Sequence, residues 1–183
     1  MIKKQNEDLG VSVNIHTFLL RENVSKYYLN KVRKYVKTGN QNIYNRLVQK
    51  GVIQEYKAVH NLVTTVGRNV LARRLAGNTT YTGEVNYGAL GTAVSPVPAN
   101  NSTQLGTEVF RKVKASASYD NNIAYVDFFY TASDTNGTYT EFGSFIDGSG
   151  TANSGRLFSY IATGGWTKSS SQSLFISCVY TLT

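Results

Sequence analysis

Hydrophobic and polar residues alternate along most of the chain from residue 84 onward. The alternation is clearest at the end, where Leu174, Ile176, Cys178, Tyr180 and Leu182 point to one side of an extended chain. An alternation of this kind is typical of a strand with one buried face. Six segments are predicted as strands on this basis: residues 84–92, 108–118, 122–132, 138–147, 156–163 and 171–183.

Turn-forming residues separate these segments at short intervals. Asp120-Asn121-Asn122, Asn136-Gly137, Asp147-Gly148 and Gly164-Gly165 are examples. Several short strands joined by such turns are typical of an antiparallel sandwich or barrel. The sequence therefore predicts a mainly β fold, an antiparallel β-sandwich of the jelly-roll kind.

One segment before these strands has a helical period instead. Leu62, Val66 and Val70 recur four residues apart, and Asn61 is a suitable N-cap. We therefore predict one short amphipathic helix over residues 62–76, with its apolar face on the sheet.

The front part of the chain is harder to interpret. Residues 11–20 and 51–61 have the pattern of strands, whereas residues 23–40 fit a helix, although their Tyr and Val residues also favour a strand. We expect residues 1–51 to form a basic N-terminal arm or docking subdomain, and residues 52–183 to form the β domain.

The charge distribution supports that division. The net charge is +8, but residues 1–75 carry 14 Lys/Arg against 4 Asp/Glu, whereas the remainder carries 5 against 7. A basic segment on a nearly neutral body favours an acidic partner, the alternative being an ordinary solvated surface. The candidate partner-docking residues are Lys26, Lys31, Arg33, Lys34, Lys37, Arg73, Arg74, Arg111 and Lys112.

Catalytic chemistry has little support in the residues. The two histidines and the single cysteine do not form a pattern of metal ligands, and Asp134-x-Asn136-Gly137 lacks the far acidic residue of a calcium loop. Glu141 and Asp147 are a weak candidate for a glycosidase carboxylate pair. We predict a non-enzymatic protein without catalytic residues, cofactor or metal.

Two further expectations concern partners and location. Basic and aromatic residues interleave over residues 26–37, as KYYLNKVRKYVK, so nucleic acid is an alternative partner. No apolar run approaches the roughly 20 residues of a membrane-spanning helix, and a lone cysteine cannot form an internal disulfide. We therefore expect no membrane contact, and synthesis in a reducing cytoplasm.

Several motifs occur in an order that resembles a family of structural proteins of tailed bacteriophages. The resemblance covers about residues 52–183. This region is also similar to the amino-terminal attachment module of tail-collar fibres. The motifs are NLVTTVGRNVLARRLAG (61–77), GALGT (88–92), TQLGTEVFRK (103–112), YVDFFYTASDTNGTYTEFGSFIDG (125–148) and SSSQSLFISCVYTLT (169–183).

The resemblance implies a function for the chain. It implies a virion component, made in the host cytoplasm, that docks on other virion proteins as a homo-oligomer or symmetric array. The expected position is the tail, neck/collar or baseplate, and the alternative is a capsid decoration protein. The family implies no catalytic residues.

Overall fold

Residues 10–183 are described by a computed structural model with nine strands and three helices. The mainly β prediction is confirmed. The strands are β1 (Val11–Arg21), β2 (Ile53–Val63), β3 (Val85–Gly91), β4 (Glu108–Val113), β5 (Ser116–Asp120), β6 (Ile123–Tyr130), β7 (Gly137–Ile146), β8 (Arg156–Lys168) and β9 (Gln172–Leu182). The helices are α1 (Lys26–Thr38), α2 (Gln41–Gln49) and α3 (Thr65–Leu75).

The strands form one antiparallel sheet in the order β4-β3-β7-β8-β2-β1-β9-β6-β5. The sheet is curled, and its end strands follow each other in the chain: the N–H of Lys114 donates to β3 and that of Ala115 to β6. Phe110 of β4 packs on Tyr130 of β6 with 6.0 Å between ring centroids. The structure is thus a curled half-barrel, and the predicted two-sheet jelly-roll sandwich is not confirmed.

The concave side of the sheet holds the main core. Leu174, Ile176 and Cys178 of β9 are completely buried there with Phe128 and Phe142, as the alternation predicted. Burial of each large side chain contributes about 1.5–3 kcal/mol. Hydrophobic burial inside the curl is therefore the main force that holds the sheet in this shape.

The convex side is covered over β1, β2 and β9 by a hairpin of α1 and α2. Phe18 and Leu20 of β1 and Phe175 of β9 pack there against Val32 of α1 and Leu47 of α2. The prediction of a helix near residues 23–40 is confirmed, and its C-cap is a left-handed glycine. Helix α2 was not predicted.

The prediction of a separate N-terminal arm is wrong for residues 11–51, whereas the alternative, a docking subdomain, stays a prediction. β1 lies in the middle of the sheet, pairing with β2 on one side and with β9 on the other. The physical reason is that β1 is apolar on both faces: Val13 and Ile15 face the concave core, whereas Phe18 and Leu20 face the hairpin. Residues 1–9 of the predicted arm lie outside the described residues.

Helix α3 begins three residues later than predicted. Leu62 and Val63 continue β2, and the N-cap is Thr64, whose hydroxyl accepts from the N–H of Gly67 at 3.0 Å. The Thr64 hydroxyl also donates to the carbonyl of Leu157 at 2.6 Å, which fixes the helix to β8. The helix is less amphipathic than predicted, since its last residue, Leu75, is 91% exposed.

Candidate protein-docking surface

The α1–α2 hairpin, residues 26–50, is strongly basic. It carries seven cationic residues and no acidic residue. Among the residues that the structure describes, only Arg33 of this set makes an ion pair. The other six are Lys26, Lys31, Lys34, Lys37, Arg46 and Lys50.

Arg33 is the internal anchor of the hairpin. Its Nε donates to Oδ2 of the buried Asp127 on β6 at 2.8 Å, and the guanidinium lies 5.6 Å from the ring centroid of Phe175. Asp127 also accepts from the hydroxyls of Ser116 at 2.6 Å and Ser177 at 2.7 Å. These contacts fix α1 to three strands, so Arg33 is not free for a partner.

A groove runs between α1 and β5, and we call it the α1–β5 groove. Its volume is about 400 Å³. Lys34 and Lys37 line the helix side, and Ser116, Ala117 and Ser118 line the strand side. The Nζ of Lys37 donates to the Ser118 hydroxyl at 2.9 Å and lies 4.8 Å from the ring centroid of Tyr125. The groove therefore joins positive charge to the end strand of the sheet.

A second cavity of about 270 Å³ lies on the other side of α1, between the two helices. Lys31, Arg46 and Lys50 line it together with Tyr27 and Tyr28. The two tyrosine rings meet edge to face at 5.3 Å, and Tyr27 is 63% exposed. This side of the hairpin combines cations with an exposed aromatic ring.

Two predicted docking residues, Arg73 and Arg74, lie in the last turn of α3, away from the hairpin in sequence. Both are exposed. The guanidinium of Arg73 lies 5.7 Å from the ring centroid of Tyr81, which also contacts Arg156. The two arginines thus form a separate, smaller basic site.

Arg111 is a structural residue. Its side chain is 4% exposed, and its guanidinium makes a bidentate ion pair with Glu108 at 2.5 and 2.7 Å. Its Nη1 donates to the carbonyls of Ser149 and Ser154, so it fastens β4 to the β7–β8 turn. With its guanidinium buried and bonded to Glu108 and two carbonyls, Arg111 presents little surface to a partner.

Lys112 is also occupied. It forms an ion pair with Asp134, whose carboxylate also accepts from the N–H and hydroxyl of Thr131. These hydrogen bonds and Lys112 lower the pKa of Asp134 against the opposing effect of burial, which is the largest influence on it. The Asp134 turn is therefore closed by its own chain.

Glu141 and Asp147 do not form a catalytic pair. Glu141 is completely buried and accepts from the N–H groups of Gly106 at 2.9 Å and Thr107 at 2.7 Å, and from the Tyr160 hydroxyl at 2.5 Å. Burial and this bond raise the pKa of Tyr160. Asp147 instead binds the backbone and side chain of residue 82. Each carboxylate fastens a different loop to the sheet.

Glu141 also explains two glycines of the sequence motifs. A Cβ at Gly91 of GALGT would lie 2.3 Å from the Glu141 carboxylate, and one at Gly106 of TQLGT would lie 3.0 Å from Ala93. The β3–β4 loop can therefore close over this carboxylate only because both positions lack a side chain.

Of the remaining titratable candidates, Cys178 is buried, His16 is half-buried and His60 is exposed. Burial raises the pKa of the Cys178 thiol to about 12, and burial lowers the pKa of His16, which hydrogen-bonds the Tyr56 hydroxyl at 2.8 Å. Residues 10–183 contain no group of three His, Cys, Asp or Glu side chains that could hold a metal ion. No helix in the same part of the chain has the length and apolar character needed to cross a membrane.

The predicted docking residues include the cations of α1 but not Arg46 of α2 or Lys50, which caps it. The signal was present, since residues 26–50 contain no acidic residue at all. The contribution of β5 to the groove had no signal in the sequence, because it depends on the curl of the sheet. Comparisons with family models, with curated proteins and with solved structures found no match.

Proposed function

We propose that this chain is a non-enzymatic structural component of a tailed-phage particle, and that the α1–α2 hairpin docks on an acidic surface of a neighbouring virion protein. The observation that carries the docking proposal is the charge of the hairpin, seven cations without one acid, of which only Arg33 is ion-paired within residues 10–183. The virion assignment is supported by the ordered motifs over residues 52–183 that resemble phage structural proteins.

The energetics favour a repeated contact. A single exposed ion pair contributes about 0.2–1 kcal/mol, so six such cations give one copy only a modest affinity. Complementary charge raises the association rate and fixes orientation more than it raises affinity. Copies in a homo-oligomer or symmetric array, however, bind together with a much larger combined strength.

The position that we propose is the tail, neck/collar or baseplate. The alternative is a capsid decoration protein, in which the hairpin lies on an acidic outer shell. A label at the C-terminal end, imaged on intact virions, separates these positions. Absence of the label from every virion would reject the structural proposal.

A charge-reversal experiment tests the role of the hairpin. The variant Lys26→Glu/Lys31→Glu/Lys34→Glu changes three exposed or half-exposed cations. The matched control is Arg68→Glu/Arg73→Glu/Arg74→Glu on α3, which makes the same change in net charge. We expect the copy number per particle to fall about tenfold or more for the hairpin variant and to stay near wild type for the control. A folded hairpin variant at normal copy number would overturn the proposal.

Nucleic-acid binding is the second candidate, and the cavity between α1 and α2 favours it. An exposed Tyr27 beside Lys31, Arg46 and Lys50 could stack on a base while the cations contact phosphates. Anisotropy of labelled single-stranded DNA tests it. Affinity should fall steeply with salt, with a slope of about −0.7 for each phosphate contacted, and Tyr27→Ala should weaken it. The virion proposal, in contrast, does not depend on any affinity for DNA.

A further inference from the structure

β5 leaves one edge of the sheet open. It is the end strand and, among residues 10–183, it pairs only with β6. Every second residue of an antiparallel strand directs both its N–H and its C=O to the same side, so about half of the β5 backbone groups face outward. Ala117, Ser118 and Tyr119 are exposed, Tyr119 to 83%. An open edge of this kind can pair with a strand of another chain.

The α1–β5 groove gives access to the convex face beside that edge. The small residues Ser116, Ala117 and Ser118 line the strand side of the groove and, together with α1, border the volume of about 400 Å³. This volume lies within the range of pockets that bind ligands. The Arg33–Asp127 ion pair fixes α1 over the sheet, so the groove is formed before any partner arrives.

The charge of the groove selects the partner. Lys34 and Lys37 are exposed on its helix side, and neither makes an ion pair with a described residue. Asp127, the only carboxylate in the lining, is already bound by Arg33 and two serine hydroxyls. The groove therefore presents excess positive charge along one side of an open strand.

We propose that an extended acidic segment of a neighbouring subunit binds in this groove and adds to the sheet as a strand beside β5. Alternate side chains of a strand point to the same face, so carboxylates at every second position would meet Lys34 and Lys37. This inference rests on the proposed function and names the chemistry of the partner. The groove favours a peptide over a nucleic acid because its aromatic residue, Tyr125, is buried and offers no face for base stacking.

A model peptide tests the proposal on the full chain. The probe is a blocked eight-residue peptide of alternating Glu and Thr, measured by fluorescence anisotropy and by hydrogen exchange of the β5 amides. We expect binding with added protection in β5. We also expect no binding of the matching Lys–Thr peptide, and loss of binding when alternate amides of the acidic peptide are N-methylated, since strand pairing needs those N–H groups.

Two variants of equal charge locate the site. Lys34→Glu/Lys37→Glu changes the groove, whereas Arg46→Glu/Lys50→Glu makes the same change in the other cavity of the hairpin. We expect the first to weaken peptide binding about tenfold or more and the second to change it less than about threefold. Thermal unfolding verifies that both variants fold.

Three results would overturn the inference. Equal weakening by both variants would show that net charge, and not the groove, attracts the peptide. Undiminished binding of the N-methylated peptide would exclude strand addition. Displacement of the peptide by single-stranded DNA, with the DNA itself sensitive to Lys34 and Lys37, would identify a nucleic-acid site instead.

The two proposals can fail separately. If hairpin charge reversal removes the protein from particles but the acidic peptide leaves β5 amides unprotected, docking stands and strand addition is wrong. If the peptide binds as expected but the variants enter particles normally, the groove is a real peptide site and the docking function is wrong.

Discussion

The Arg33–Asp127 ion pair should contribute measurably to stability, because it is a largely buried polar connection between the hairpin and the sheet. The Arg33 side chain is 22% exposed and that of Asp127 is 7% exposed. Removal of one partner of a fully buried pair costs about 3–5 kcal/mol. Water screens part of this pair, and Asp127 keeps two serine donors, so we expect Arg33→Ala to cost about 2–3 kcal/mol.

Urea unfolding measures this cost. Trp166 is the only tryptophan and is buried, so its fluorescence reports loss of the core. With a slope of about 2 kcal/mol per molar urea, the midpoint should fall by about 1–1.5 M without a change in slope. Lys34→Ala on the same helix is the control. It should stay within about 0.5 kcal/mol of wild type, since Lys34 is exposed.

A double-mutant cycle separates the ion pair from lost packing. Asp127→Asn removes the charge that Arg33 neutralises and keeps an acceptor oxygen for one of the two serines, whose hydroxyls bind different carboxylate oxygens. The double variant should therefore lose less stability than the sum of the single variants, with a coupling of about 1–2 kcal/mol. A coupling below about 0.3 kcal/mol would refute the reasoning, because the hairpin would then be held by its apolar face alone.

Four other predictions address the core and the buried polar groups. Gly67→Ala should cost about 2 kcal/mol in urea unfolding, because the new methyl would lie 2.6 Å from the Phe158 ring. Glu141→Gln should cost about 3 kcal/mol and should speed exchange of the loop amides, because an amide nitrogen cannot accept the N–H groups that the carboxylate binds. Native Cys178 should resist thiol reagents at pH 8 and react only on unfolding, because burial raises its pKa to about 12. His16 should make stability depend on pH: its folded pKa lies below the ordinary 6.5, so its contribution is complete above pH 6.5 and is lost as pH falls through the folded pKa.

Three of these experiments have a direct control. Arg68→Ala is the exposed neighbour of Gly67 and should be nearly neutral. His16→Gln should lose less stability than wild type between pH 8 and pH 5, and an identical loss would show that His16 is not the titrating group. Modification of Cys178 at the same rate in native and unfolded protein would contradict its burial.

The strands could be predicted from local pattern, but their arrangement could not. The alternation in β9 and the helical pattern of residues 23–40 are properties of neighbouring residues, and both predictions are confirmed. The place of β1 in the middle of the sheet depends on its pairing with β9, about 160 residues later. No local period contains that information, so the front part was wrongly separated from the β domain.

The candidate docking surface could likewise be predicted only in part from the sequence. Cationic residue types and their density over residues 26–50 are visible in the sequence. Whether an individual cation is free depends on distant partners: Arg33 finds Asp127 94 residues away. Arg111 and its partner Glu108 are close in sequence, but the β7–β8 turn that buries them is not. Burial by remote segments therefore decides which predicted docking residues remain available.

The position of β9 between two other strands also has a consequence for folding. β9 lies between β1 and β6, and Val11 pairs with Leu182, so the contact order of the sheet is high. Folds dominated by such contacts form slowly, because the chain loses loop entropy before the pairing is gained. During synthesis the sheet cannot be completed until residues 172–182 have left the ribosome. Until then β1 and β6 expose unpaired edges, so the nascent chain is vulnerable to aggregation over that interval.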